Sequence, residues 1–192
     1  NLRQGAGLYG LAKCAAAEGD VKTTVSLLEA HLKSSLRKNE PQILLDDAFR
    51  SVSSSSEWRA LWKKDWYKVY ERKSWEIENY LKSGRNDLAE GAYAELASLY
   101  PEMPVTEYCH ARILMGSGRY REAADILATV TRDTDTPPAW LYALAEAREG
   151  EGDHYAAATV YDRLISARTP DPGLLLKKAR MLIRSGDRDA AK

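Results

Sequence analysis

The sequence predicts an all-α solenoid of stacked antiparallel helix pairs, and three observations predict it. The first is a period. Gly84, Gly118, Gly152 and Gly186 are each 34 residues apart, as are Ala89, Ala123, Ala157 and Ala191, and as are Pro104, Pro138 and Pro172. Three residue types locked in one phase mark stacked supersecondary units. The second is composition: the 192 residues are 44% hydrophobic, much of it Ala and Leu, with a single Phe, which favours helices over the alternating β-branched and aromatic positions of short strands. The third is punctuation. Proline opens an apolar-periodic stretch, glycine ends it, and a second amphipathic stretch starts within a few residues, which is how a helical hairpin is written.

The units follow in order. Residues 5–38 form the first, with Leu8, Leu11 and Ala12 before the Gly19-Asp20 turn, Leu28 after it, and Thr24 where the later units carry alanine. Gly19 to Gly84 is 65 residues, three short of two periods, so residues 39–69 are expected to be a shortened, degenerate unit without its glycine. Its first helix is expected over Pro41–Phe49, its turn at Ser53–Ser56, and its second helix from Glu57 to about Tyr67, capped by the preceding serine. A low-complexity linker is the rival reading of the four serines. Residues 70–103, 104–137 and 138–171 are full units. Residues 172–192 reach only the start of a second helix, which points to an internal fragment of a longer protein or to a disordered tail.

In the units that begin at the prolines a small residue recurs on both helices. Ala111, Ala145 and Ala179 occupy position eight, and Ala89, Ala123, Ala157 and Ala191 occupy position twenty. Antiparallel helices can approach closely only where such residues face each other. With position twenty-four filled by Tyr93, Leu127 and Tyr161 and Pro101 at position thirty-two, the stretch from about Tyr70 to Lys192 resembles the tetratricopeptide repeats. The resemblance implies a right-handed superhelical solenoid of about five and a half units, and a concave groove that receives a peptide or helix. It also lines the groove with positions two, five, nine, twelve and thirteen of each first helix, of which five and nine are Tyr9 and Lys13, Ser74 and Glu78, Tyr108 and Arg112, Tyr142 and Glu146, Leu176 and Arg180. Rigid tyrosines suit a binding surface and the alternating charges suit a mixed-charge ligand. Chaperone-binding members hold two carboxylates with a Lys, Asn and Arg set, but here position five supplies Tyr or Leu instead of Lys, which argues against that role. A solvated face without a ligand is the bland alternative.

Other functional classes find little support. Lys plus Arg and Asp plus Glu are both 28, so no overall field draws the chain to nucleic acid or an anionic membrane. No apolar run approaches the length of a transmembrane helix. Trp58, Trp62 and Trp66 follow i, i+4, i+8 spacing among Arg59, Lys63, Lys64, Lys68, Arg72 and Lys73. Such interleaving could stack nucleic acid bases or meet a membrane surface, and it could also present a protein-binding surface. Positions twenty and twenty-four, however, are packing sites, so Trp58 and Trp62 are expected in the core. Adjacent Asp46 and Asp47 are expected to be solvated. His31, His110 and His154 lie in different units, Cys14 and Cys109 are 95 residues apart, and no phosphate-loop, G-x-S-x-G or H-E-x-x-H motif occurs, so neither metal, cofactor nor catalytic centre is expected. The expectation is a non-catalytic protein-interaction scaffold with a protein or peptide partner. Its rivals are a self-assembly module and a regulatory part of an enzyme whose catalytic domain lies elsewhere. The style of the Trp-rich unit is similar to repeat proteins of bacterial cell envelopes.

Overall fold

Five glycines with positive φ divide the chain into its helices. Gly19, Gly84, Gly118, Gly152 and Gly186 have φ between 70° and 89°, the left-handed region that ends a helix without strain only at glycine. At three of them the closing bonds repeat. Asp20, Arg85 and Arg119 each donate a backbone N–H, at 2.9–3.0 Å, to a carbonyl five residues back, so successive helices leave their turns in the same way. The computed structural model describes residues 2–34, 36–133, 136–167 and 171–186, and the described residues are helical with no strand. They divide into two compact units, residues 1–72 and 73–192.

In the first unit, α1 (Leu2–Ala17) and α2 (Val21–Leu32) form a hairpin. Asp20 caps α2 by accepting the Thr23 N–H at 3.0 Å. Ala12 and Thr24, at positions eight and twenty, are fully buried. Threonine is tolerated there because its hydroxyl donates to the Asp20 carbonyl at 2.7 Å. The degenerate segment departs from expectation. Its first helix is broken into α3 (Glu40–Leu44), opened by a reciprocal Asn39–Gln42 capping box, and a 3-10 turn at Asp47–Phe49. Asp46 causes the break by capping that turn through the Ala48 N–H at 3.0 Å. Ser55 caps α4 (Ser56–Trp62), which ends five residues before the expected Tyr67. Trp66 therefore lies outside the helix, its indole N–H donating to the Leu61 carbonyl at 2.8 Å.

The core of this unit is a chain of rings. His31, Tyr9, Phe49, Trp58 and Trp62 follow one another with centroids 5.2–5.9 Å apart. Trp58 is 6% exposed, as a core residue should be, whereas Trp62 is only half-buried. Aromatic volume fills the space that a regular second hairpin would occupy.

The second unit holds α5 (Val69–Lys82) from Lys73 onwards, then α6 (Asn86–Leu99), α7 (Pro104–Gly116), α8 (Tyr120–Val130), α9 (Pro138–Glu151), α10 (His154–Ser166) and α11 (Leu174–Ser185). Proline is the first residue of α7 and α9, where a missing N–H costs nothing. At α11 the start slips two residues past Pro172, because Asp171 accepts the Gly173 N–H at 2.8 Å and turns the chain first. Ala89, Ala111, Ala123, Ala145 and Ala157 are all fully buried. Ala179 is half-buried, and Ala191 lies outside the described residues, as does the start of a second helix there. Between repeats, Gly150 on α9 lies flat against the Tyr120 ring of α8, where an added Cβ would come within 2.4 Å.

Candidate binding face

Positions five and nine are four residues apart, so on each first helix they share one face. In the second unit α5, α7, α9 and α11 carry them as Ser74 and Glu78, Tyr108 and Arg112, Tyr142 and Glu146, Leu176 and Arg180. Three of the four position-nine side chains meet. The Arg112 guanidinium donates to both oxygens of Glu78, at 2.8 and 3.3 Å, and to Glu146 at 3.2 Å. Equivalent residues of α5, α7 and α9 thus form one continuous strip. The strip grades outward, since the Glu78 and Arg112 side chains are 18% and 19% exposed and that of Glu146 is 65% exposed. The alternation of charge along the sequence is largely consumed by the protein's own ion pairs.

The tyrosines differ from expectation. Tyr108 is buried rather than presented. Its ring stacks on Trp140 of α9 at 5.0 Å and 12°, and its hydroxyl donates to Glu78 at 2.9 Å. Burial first, and the Glu78 charge second, push its phenol far above the ordinary value. Tyr142 is half-buried. Its hydroxyl donates to Asp171 at 2.8 Å, and the Lys177 ammonium, itself 3.0 Å from Asp171, sits over its ring. Tyr9 in the first unit donates to Asp46 at 2.7 Å and to the Gln42 carbonyl at 3.2 Å, while Lys13 reaches Asp46 at 3.0 Å. Asp46 is consequently not the solvated carboxylate expected: the Tyr9 hydroxyl, the Ala48 N–H and Lys13 hold it below the usual carboxylate range. Asp47 does remain at the surface, paired with Arg50. Leu176 is 57% exposed, and Arg180 is exposed with no partner among the described residues.

Sequence reasoning missed Trp140, Asp171, Glu149 and Lys177, placed Tyr161 only as a packing residue at position twenty-four, and left Arg184, at groove position thirteen, unnamed. Trp140 had a signal, being the one tryptophan outside the Trp-rich segment, at position three of a first helix. Asp171 had none, since it recurs in no other unit.

Of the remaining reactive groups, His31, His110 and Cys109 are committed to packing, whereas Cys14 is exposed. His31 is buried and accepts the Lys38 N–H through Nε2 at 2.9 Å, so that nitrogen carries no proton. His110 stacks on Tyr93. Burial pushes the Cys109 thiol up to about 12, well away from a thiolate. Among the described residues no cluster of His, Cys, Asp and Glu could hold a metal ion, and no helix is long and apolar enough to cross a membrane. Half of the basic run is tied up in ion pairs: Lys64 with Glu29, Arg72 with Glu40, Lys73 with Glu95.

A tetratricopeptide repeat family model matches residues 108–172, which carry the α7 and α9 part of the strip, Tyr108, Arg112, Tyr142 and Glu146. Those residues are tetratricopeptide repeats. A tetratricopeptide repeat protein from Parabacteroides merdae shares the fold at a TM-score of 0.55, with 13% identity over 98% of this chain and 90% of that chain. A Podosopora anserina protein assigned as a kinesin light chain, with nearly identical TPR-like repeats, aligns at 0.46 with 19% identity, over 97% of this chain and 88% of that one. No curated protein matches the sequence. Tetratricopeptide repeats generally serve as scaffolds for protein–protein interaction and are typically non-catalytic.

Proposed function

We propose that the second unit is a passive recognition scaffold that binds a segment of a partner protein along the strip formed by α5, α7, α9 and α11. The observation that supports this reading is the run from Glu78 through Arg112 to Glu146, which makes equivalent positions of successive repeats contiguous. A contiguous strip can be followed by an extended or helical segment, and its helices are held rigid by buried alanine contacts, so little ordering is left to oppose binding.

Photo-cross-linking tests the reading. A photoreactive residue at Glu146 or Leu176 should capture a partner from the source cell, and the same residue at Asp125 or Asp162, exposed on the second helices, should not. Capture only from the second helices would overturn it.

A further inference from the structure

At α11 the charge ladder is left open. Glu78 and Glu146 each have the Arg112 guanidinium as partner, but Arg180, next in the position-nine series, has no ion-pair partner among the described residues. Nor does Arg184, one turn further along the same face. Both line a pocket of about 260 Å³ between α9, α10 and α11, together with Glu149, Tyr161, Lys177 and Met181. Of the other charges there, Lys177 pairs with Asp171 at 3.0 Å, while Glu149 accepts the Tyr161 hydroxyl at 2.5 Å and keeps its negative charge, so the two guanidiniums outweigh it by one. The bottom of the pocket is apolar, with Met181 3% and Tyr161 5% exposed. Leu176, one turn before Arg180, puts an exposed apolar side chain on the same face.

We propose that this pocket receives an acidic side chain of the bound segment, with a neighbouring apolar residue resting on Leu176. The inference builds on the binding face proposed above and names the chemistry that this end of it selects. Two guanidiniums four residues apart can close on one carboxylate, and a charge-assisted bond there is strengthened by the apolar floor beneath it. The C-terminal end of α11 opposes an anion with the equivalent of about half a negative charge and Glu149 with a full one, together less than the two guanidinium charges facing it. A free anion would gain the charge contacts but nothing from Leu176, so the pocket is read as a site for a side chain on a peptide.

The test uses the full chain and two synthetic probes, the acetylated and amidated peptide Ser-Leu-Glu-Glu-Leu-Ser and its counterpart with both Glu replaced by Gln, with binding followed by amide chemical shifts. The acidic probe is expected to shift signals of α9 and α11 and to bind about tenfold more tightly than the Gln probe, an advantage that salt erodes. The Arg180→Gln, Arg184→Gln double variant should lose that advantage, whereas the Arg121→Gln, Arg132→Gln double variant, an equal loss of charge at exposed positions elsewhere, should keep it. Equal affinity for both probes, or an unchanged preference in the double variant, would overturn the acidic pocket. Competition by acetate at the peptide's own concentration would also overturn it, showing a small-anion site. These outcomes are independent of the cross-linking at Leu176 and Glu146, so the wider face can stand when the pocket falls.

Discussion

Each of the two units contains the same small assembly, built by different routes. In the first, the Tyr9 hydroxyl and the Lys13 ammonium meet on Asp46 at 2.7 and 3.0 Å; in the second, Tyr142 and Lys177 meet on Asp171 at 2.8 and 3.0 Å. Both aspartates use their other oxygen to cap a turn, Asp46 through Ala48 and Asp171 through Gly173. Both tyrosines sit at position five of a first helix, and in both cases the aspartate follows the second helix of that hairpin. The lysine is supplied differently. Lys13 is four residues along from Tyr9 on α1, whereas Lys177 comes from the following helix, α11. Both rings carry a lysine cation, Lys13 and Lys38 at 5.8 and 5.9 Å from Tyr9 and Lys177 at 5.0 Å from Tyr142, but Tyr9 is also flanked by the His31 and Phe49 rings at 5.2 and 5.7 Å. A position-five tyrosine can therefore latch one hairpin to the next turn of chain while keeping one edge of its ring at the surface.

Removing the two rings should separate these surroundings most sharply. Tyr9→Ala takes a ring out of a chain of five and leaves a cavity between His31 and Phe49, so a loss of about 3 kcal/mol is expected in urea unfolding. Tyr142→Ala removes a ring with fewer neighbours and should cost about 1 kcal/mol. Equal losses would mean that the aromatic chain contributes nothing beyond the latch.

Such a difference shows where the sequence stops being informative. Period and punctuation located the glycine turns, the alanine contacts and the first-helix faces, because these depend on residue size and backbone freedom at fixed spacing. What a position-five side chain touches depends on residues outside the period. Trp140 covers Tyr108, and nothing in the period requires a large ring at position three of the next unit. The break in the degenerate segment was equally hidden. Pro41 to Phe49 has helical periodicity, but a single carboxylate that can cap a turn and receive both Tyr9 and Lys13 outweighs it. Trp66 was misplaced for a related reason, since i, i+4, i+8 spacing looks the same whether or not the helix continues.

Removing only the hydroxyls should bring the two latches back together. Tyr9→Phe and Tyr142→Phe each delete one hydrogen bond to a carboxylate and leave packing intact, so both should cost about 1 kcal/mol near pH 7. Their acid behaviour supplies a further check. The tyrosine hydroxyl is the leading cause holding each aspartate below the usual carboxylate range. A carboxylate with a depressed folded-state value adds stability that is complete above its unfolded value, about 3.9, and is lost as the pH falls through the folded one. The gap between wild type and either Phe variant should hold from neutrality to about pH 5 and narrow below pH 4. A gap that widened on acidification would show that the aspartates are not the acceptors.

At the alkaline end the sign reverses. Burial first, then the bond to Asp171, pushes the Tyr142 phenol up to about 12. An acid with a raised folded-state value contributes stability below its unfolded value, about 10, and loses it as the pH climbs through the folded one. Phenolate absorbance should place Tyr142 above a free tyrosine, and Asp171→Asn should bring it only part of the way back, because burial is the larger cause. Full return to the ordinary value would assign the whole effect to the aspartate.

The smallest effect sharpens the one architectural difference between the latches. Lys13 and Lys177 are nearly equally exposed, at 43% and 44%, and lie at the same distance from their carboxylates, so Lys13→Met and Lys177→Met should each cost about 0.5 kcal/mol at low salt and less at high salt. They should diverge in what loosens. Lys13 shares α1 with Tyr9, so its loss leaves the Tyr9–Asp46 bond and the turn cap as they were. Lys177 ties α11 to the turn before it, and α11 has helix neighbours on one side only among the described residues. Amide hydrogen exchange should show faster opening of α11 in Lys177→Met and no matching change of α1 in Lys13→Met. Unchanged exchange in α11 would mean that packing against α10 alone holds that helix, and the ion pair would then be a surface ornament of the second unit rather than part of its last joint.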